Sequence, residues 1–175
     1  MTMAAKILGG VMVIFSTSAY GFLMSRDLQK RLIELKEIKK IIFLLKGEIG
    51  FGMTPILEAA GNIAGRCGDV MGGILRELEA QNCVVKNGSL GDIWKSVFEK
   101  GLRDTHLSER EKERLISLGD SLGLKDTQTQ INALEAYMDE LDTSIEELSK
   151  ILPTKTRLYR SLGVMLGVII TIIMV

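Results

Sequence analysis

Twenty-five consecutive residues, Phe22 to Lys46, contain neither glycine nor proline, and they join two different kinds of sequence. Before the join, Ile7 to Ser25 are 19 uncharged positions. After it, Leu28, Leu32, Leu35, Ile38, Ile42, Leu45 and Ile49 recur at steps of four and three, the spacing of one helix face. With no breaker between them, the two parts read as one continuous helix. At about 1.5 Å per residue the uncharged part reaches roughly 28 Å, enough to cross a hydrocarbon core. No A-x-A-like site follows it, as a cleaved signal peptide would require. A seam of this length needs other helices to bury it, so the chain is constrained to a helical bundle held directly at a membrane. Only two prolines and little β-branched alternation agree with an all-α fold.

Charge divides the chain the same way. All 22 acids and 21 of the 22 Lys and Arg lie between residues 26 and 160. That middle segment is long enough to bury a core of its own. Ser161 to Val175 are again uncharged, with Tyr159 and Arg160 at the position of an interfacial anchor and a snorkelling cation. Fifteen residues reach only about 22 Å, so this second span is short. Arg26, Lys30, Arg31, Lys36, Lys39 and Lys40 follow the first apolar segment; Lys150, Lys155, Arg157 and Arg160 precede the second. Lys6 stands alone on the other side. The positive-inside bias therefore predicts a cytoplasmic middle between two membrane segments, with domains at residues 1–25, 26–160 and 161–175. The formal net charge of zero gives no sign of nucleic-acid binding.

Within the middle segment, Gly50-Phe51-Gly52 ends the first helix, with glycine expected to supply the positive φ of the reversal. Thr54 is placed to cap a second helix with Pro55 in its first turn, and Ile56, Leu57, Ala60, Ile63 and Ala64 are its core. After Cys67-Gly68-Asp69, a third helix buries Val70, Met71, Ile74, Leu75 and Leu78; Gly72 and Gly73 suit a close neighbour. Asn87-Gly88 marks a turn. Ser89 with Asp92, and Ser108 with Glu111, have the capping-box spacing and open helices four and five. Trp94, with Leu90, Ile93 and Val97, anchors the fourth; Leu115, Leu118 and Leu122 face inward on the fifth. Asp126 caps a long sixth helix with Ile131, Leu134, Met138, Leu141, Ile145, Leu148 and Leu152 as its seam, and Pro153 is expected to kink or end it. The fold class is thus an antiparallel bundle of about six helices. Its long first and last helices pair and continue into membrane segments.

Catalytic patterns are missing. There is no G-x-x-x-x-G-K-[ST] phosphate loop and no G-x-S-x-G elbow. His106 sits in a loop, Cys67 and Cys83 could form one disulfide but in a cytoplasmic middle segment read as free thiols, and one histidine gives no zinc set. No enzyme activity, cofactor or metal is expected. What the sequence does show is charge striping. Glu135, Asp139, Asp142 and Glu146 each fall one residue after a seam position, opposite Lys36, Lys39, Lys40 and Lys46 on the first helix. These groups either pair inside the bundle, each pair worth under about 1 kcal/mol, or present an acidic face to a basic partner. Glu48, Met53 and Glu58 around the Thr54-Pro55 turn form a second candidate contact. The turn also has a purely structural reason to exist, since it starts a helix.

Residues 35–64, LKEIKKIIFLLKGEIGFGMTPILEAAGNIA, resemble the opening hairpin of the stage III sporulation protein AB family. The carriers are Glu48-Ile49 followed by Thr54-Pro55-Ile56, where leucine is usual at the last position. Trp94, Leu118-Gly119, LGLKDTQTQ (residues 122–130) and KILGGVMVIFSTSAYGF (residues 6–22) extend the resemblance over essentially the whole chain. It implies a component of the secretion-like channel complex between mother cell and forespore, in the mother-cell membrane. It also implies a domain similar to the cytoplasmic domain of F-type platform proteins of type II secretion and type IV pilus systems. The implied partners are a companion ATPase, stage III sporulation protein AA, and other membrane components of the complex; the uncharged ends themselves point to the lipid bilayer, and the two seams also suit pairing with a second copy of the chain. A membrane-anchored adaptor for another cytoplasmic partner, or a subunit of a membrane enzyme, are the rival expectations.

Overall fold

The computed structural model describes the backbone of residues 3–83, 89–123 and 126–174; most side chains of residues 3–21 and 159–174 lie outside the description. Among the described residues the chain is all helical: α1 (Met3–Gly50), α2 (Ile56–Ala64), α3 (Asp69–Ala80), a 3-10 turn (Gln81–Cys83), α4 (Leu90–Gly101), α5 (Glu109–Leu122) and α6 (Thr127–Met174). The uninterrupted run after Phe22 does form one helix, and α1 and α6 are each 48 residues long. Pro153 lies inside α6 and does not end it. Two compact units are distinguished, Ile33–Ile145 and Met1–Leu32 with Glu146–Val175. Among the described residues no helix is long and apolar enough to cross a membrane. The two uncharged segments expected to span, and the Tyr159-Arg160 anchor, fall largely on side chains outside the description, as does the Asn87-Gly88 turn on its backbone.

The unit Ile33–Ile145 has its core where the α1 seam is. Leu35, Ile38, Ile42, Leu45 and Ile49 are buried, with Ile41 beside them. All five expected α2 positions are buried, as are Met71, Ile74, Leu75 and Leu78 of α3. Val70, expected in that core, is 59% exposed. It lies off the face that Met71, Ile74, Leu75 and Leu78 share at helical spacing. On α6 the buried set is Leu134, Tyr137, Leu141 and Leu148, so the seam turns toward Tyr137, with Met138 and Ile145 half-exposed.

α2 packs on α3, α3 on α4, and α4 on α5. In the α4–α5 hairpin Trp94 is fully buried, stacks on Phe98 at 4.3 Å between ring centroids, and donates its indole N–H to the Leu115 carbonyl at 2.9 Å. That bond satisfies the ring's one donor, which burial would otherwise leave costly. Gly119 makes the approach feasible: a Cβ there would fall 2.5–2.6 Å from the indole.

Helix ends follow local chemistry with two exceptions. Ser108 and Glu111 form the full capping box, and Thr129 donates its N–H to the Asp126 carboxylate at 2.8 Å. Ser89 caps α4 but accepts from Gly91, one residue earlier than the expected Asp92 spacing. Thr54 does not cap α2. The N-cap position falls one residue later, on Pro55, whose side chain has no hydrogen-bonding group and whose carbonyl accepts from Ala59 at 2.8 Å; the Thr54 N–H bonds to the Glu48 carbonyl at 3.2 Å.

Candidate functional site

The α1–α2 turn is where the backbone departs furthest from ordinary geometry. The Phe51 N–H bonds back to Gly47 at 3.0 Å, and Thr54 reaches over to Glu48. Between them the chain must reverse. The expected positive φ at Gly50 or Gly52 is not found there; the left-handed residue is Met53, at φ 50°. Gly52 is needed for a different reason. A Cβ at that position would lie 2.6 Å from the Glu48 carbonyl oxygen, so only glycine lets the turn close this tightly. The left-handed conformation costs a non-glycine residue about 1–3 kcal/mol. No packing offsets it, because Met53 is 87% and Phe51 96% exposed. Two large apolar side chains are therefore held in water on a strained reversal. Glu48 accepts from the Asn62 side chain at 3.2 Å, which ties α1 to α2, and Glu58 is exposed on the first turn of α2. Glu48, Met53 and Glu58 thus lie on and beside one exposed turn.

The second candidate is the acidic stripe of α6. Lys46 pairs with Glu135 at 2.6 Å, and Lys39 pairs with Asp142. Asp139 is exposed with no cation beside it among the described residues. Glu146 pairs with Lys150 one turn further along its own helix, at 2.6 Å. Two of the four acids therefore meet α1 lysines, and the stripe does not stand as a continuous set of open carboxylates.

Several ties were not visible in the sequence. Glu34 on α1 takes the His106 backbone N–H at 2.8 Å and faces its ring Nδ1 at 3.0 Å, fixing the loop between α4 and α5. Glu37 accepts from the Gly68 N–H, and Lys40 donates to the Arg66 carbonyl at 2.6 Å, so α1 also holds the α2–α3 loop. Burial pushes the Tyr137 phenol well above its usual range, with Glu111 adding to the shift, so this hydroxyl stays neutral. Cys67 is a free thiol bonded to the Ile63 carbonyl at 3.3 Å, and burial raises its pKa, which disfavours the nucleophilic thiolate. The Cys83 side chain lies outside the description. Among the described residues no three His, Cys, Asp or Glu are placed to hold a metal ion. The arrangement presents surfaces for contact.

Comparison with known proteins agrees with the family resemblance. A protein from Bacillus subtilis (strain 168) named stage III sporulation protein AB is 24% identical over 173 residues, 97% of this chain and 98% of the relative. No solved structure matches the chain. Residues 6–175 match the family model described as stage III sporulation protein AB, so the chain belongs to the stage III sporulation protein AB family.

Proposed function

We propose that the protein is a membrane-anchored platform of a sporulation complex and that its α1–α2 turn docks the companion cytoplasmic ATPase. The family supports a component of a sporulation complex. The anchor rests on sequence: two uncharged ends, and basic residues concentrated at residues 26–40 and 150–160. The observation that carries the docking is the exposure of Phe51 and Met53 on a strained backbone. Strain that nothing inside the fold repays is expected where a surface is kept for a partner, and exposed aromatic and apolar side chains are the usual anchors of an interface. Glu48 and Glu58 flank them, so the matching surface is apolar with a basic rim.

The test is a titration of the full chain, held in neutral-headgroup nanodiscs, with the companion ATPase, with and without nucleotide. Saturable binding that Met53→Lys weakens tenfold or more is expected. Binding unchanged in Met53→Lys would move the contact elsewhere, and no binding by folded protein would favour an adaptor for another partner.

A further inference from the structure

On the opposite charge balance stands a second surface. Ile33, Lys36, Lys40 and Phe43 recur at steps of three and four along α1 and so share one face. All four are exposed, Ile33 at 64% and Phe43 at 60%. Between this face and α6 runs an open groove of about 370 Å³, lined by Lys36, Lys39, Lys40, Phe43, Met138, Asp142 and Ile145. Its apolar lining is Phe43, Met138 and Ile145. Its charged rim has three cations and one carboxylate, and that carboxylate is already paired with Lys39. Lys36 has no acidic partner among the described residues, and Lys40 donates only to the Arg66 backbone carbonyl. Among the described residues, the fold thus leaves Lys36 and Lys40 without a carboxylate partner beside an exposed Phe43 and half-exposed Met138 and Ile145.

We propose that this groove binds an acidic amphipathic helix of a partner protein. Apolar residues of that helix at steps of three and four would lie along Phe43, Met138 and Ile145. Carboxylates on the adjacent face would meet Lys36 and Lys40. The apolar lining lies in a groove between α1 and α6, which a helix can enter and a flat lipid surface cannot. The groove carries the opposite charge to the α1–α2 turn, so the two surfaces select different partners, and this inference stands independently of the docked ATPase.

The experiment uses the full chain in neutral-headgroup nanodiscs and a dye-labelled 18-residue peptide with leucine at helical steps of three and four and glutamate elsewhere. Two controls have the same residues in shuffled order, or lysine in place of glutamate. Saturable binding of the first peptide alone is expected, weakened tenfold or more by Phe43→Ser and, separately, by Lys36→Glu with Lys40→Glu, and unchanged by Met53→Lys. All of these side chains are exposed, and an unaltered melting temperature confirms that each variant is folded. Equal binding of the shuffled or lysine peptide would overturn the proposal, as would wild-type affinity in Phe43→Ser. So would Lys36- and Lys40-dependent association with phosphatidylglycerol vesicles in place of the peptide, or self-association of the chain through Phe43.

Discussion

The α4–α5 hairpin and the α1–α2 turn are both helix–loop–helix connections, and they are built on opposite terms. In the first, Ser108 and Glu111 satisfy the helix start reciprocally, Trp94 is buried with its N–H bonded, and Gly119 is fitted against its ring. In the second, α2 starts without a side-chain cap, the reversal is made by a left-handed methionine, and the two largest side chains face water. One region satisfies its buried polar groups and its α5 helix start, and contributes stability. The other breaks several local rules at once and, on its own contacts, lowers it. On the proposed reading, the chain keeps such a turn because a partner uses it.

That contrast makes graded predictions. Trp94→Ala empties the hairpin's centre and should destabilise the protein by about 3–5 kcal/mol, read by thermal or urea unfolding. A loss under 1 kcal/mol would show that the hairpin is not the stabilising element. Ser108→Ala removes one half of the capping box and should cost about 1 kcal/mol by the same measurement. Met53→Gly should act in the other direction. It relieves the left-handed strain against a larger unfolded-state entropy, for a net gain of at most about 1 kcal/mol, while binding through the turn is weakened. Destabilisation instead would mean that Met53 is packed in a way its exposure contradicts.

The smallest effect is at the start of α6. Hydrogen bonds from the Thr129 side chain and then its backbone N–H hold the Asp126 carboxyl below its ordinary pKa. A carboxyl lowered in the folded state stabilises above its unfolded pKa and loses that contribution as pH falls through the folded value. Melting temperature should therefore drop slightly more between pH 5 and 3 in the wild type than in Asp126→Asn, which keeps the cap without the titration.

The sequence was legible where one local interaction decides the outcome. The α1 seam, the Ser108–Glu111 box, the Asp126 cap and the burial of Trp94 each follow from spacing or from one side chain's needs. It was misleading where the expected role falls on a neighbouring residue. Thr54 has the right identity for a cap, but the N-cap position falls on Pro55, and the left-handed position moves from glycine to Met53. Ser89 likewise settles on Gly91. Nothing in the pattern could locate Glu34 opposite His106 or turn the α6 seam to Tyr137, because those depend on how distant segments meet. For the candidate sites, residue types and positions were readable. Which carboxylates the α1 lysines would take was not: Glu135 and Asp142 are engaged and Asp139 is left exposed. The basic groove beside them was not anticipated, although Lys36, Lys40 and Phe43 stand at helical spacing in plain view.

The most direct test joins stability and function in one variant. Phe51→Glu with Met53→Lys removes the exposed apolar pair without touching the core. The account predicts a melting temperature within about 2 °C of wild type, since surface substitutions usually change stability by no more than about 0.5 kcal/mol, together with a severe loss of heat-resistant spores in cells carrying the variant. Normal sporulation at normal protein levels would contradict it, and would return the α1–α2 turn to being a helix connection and nothing more.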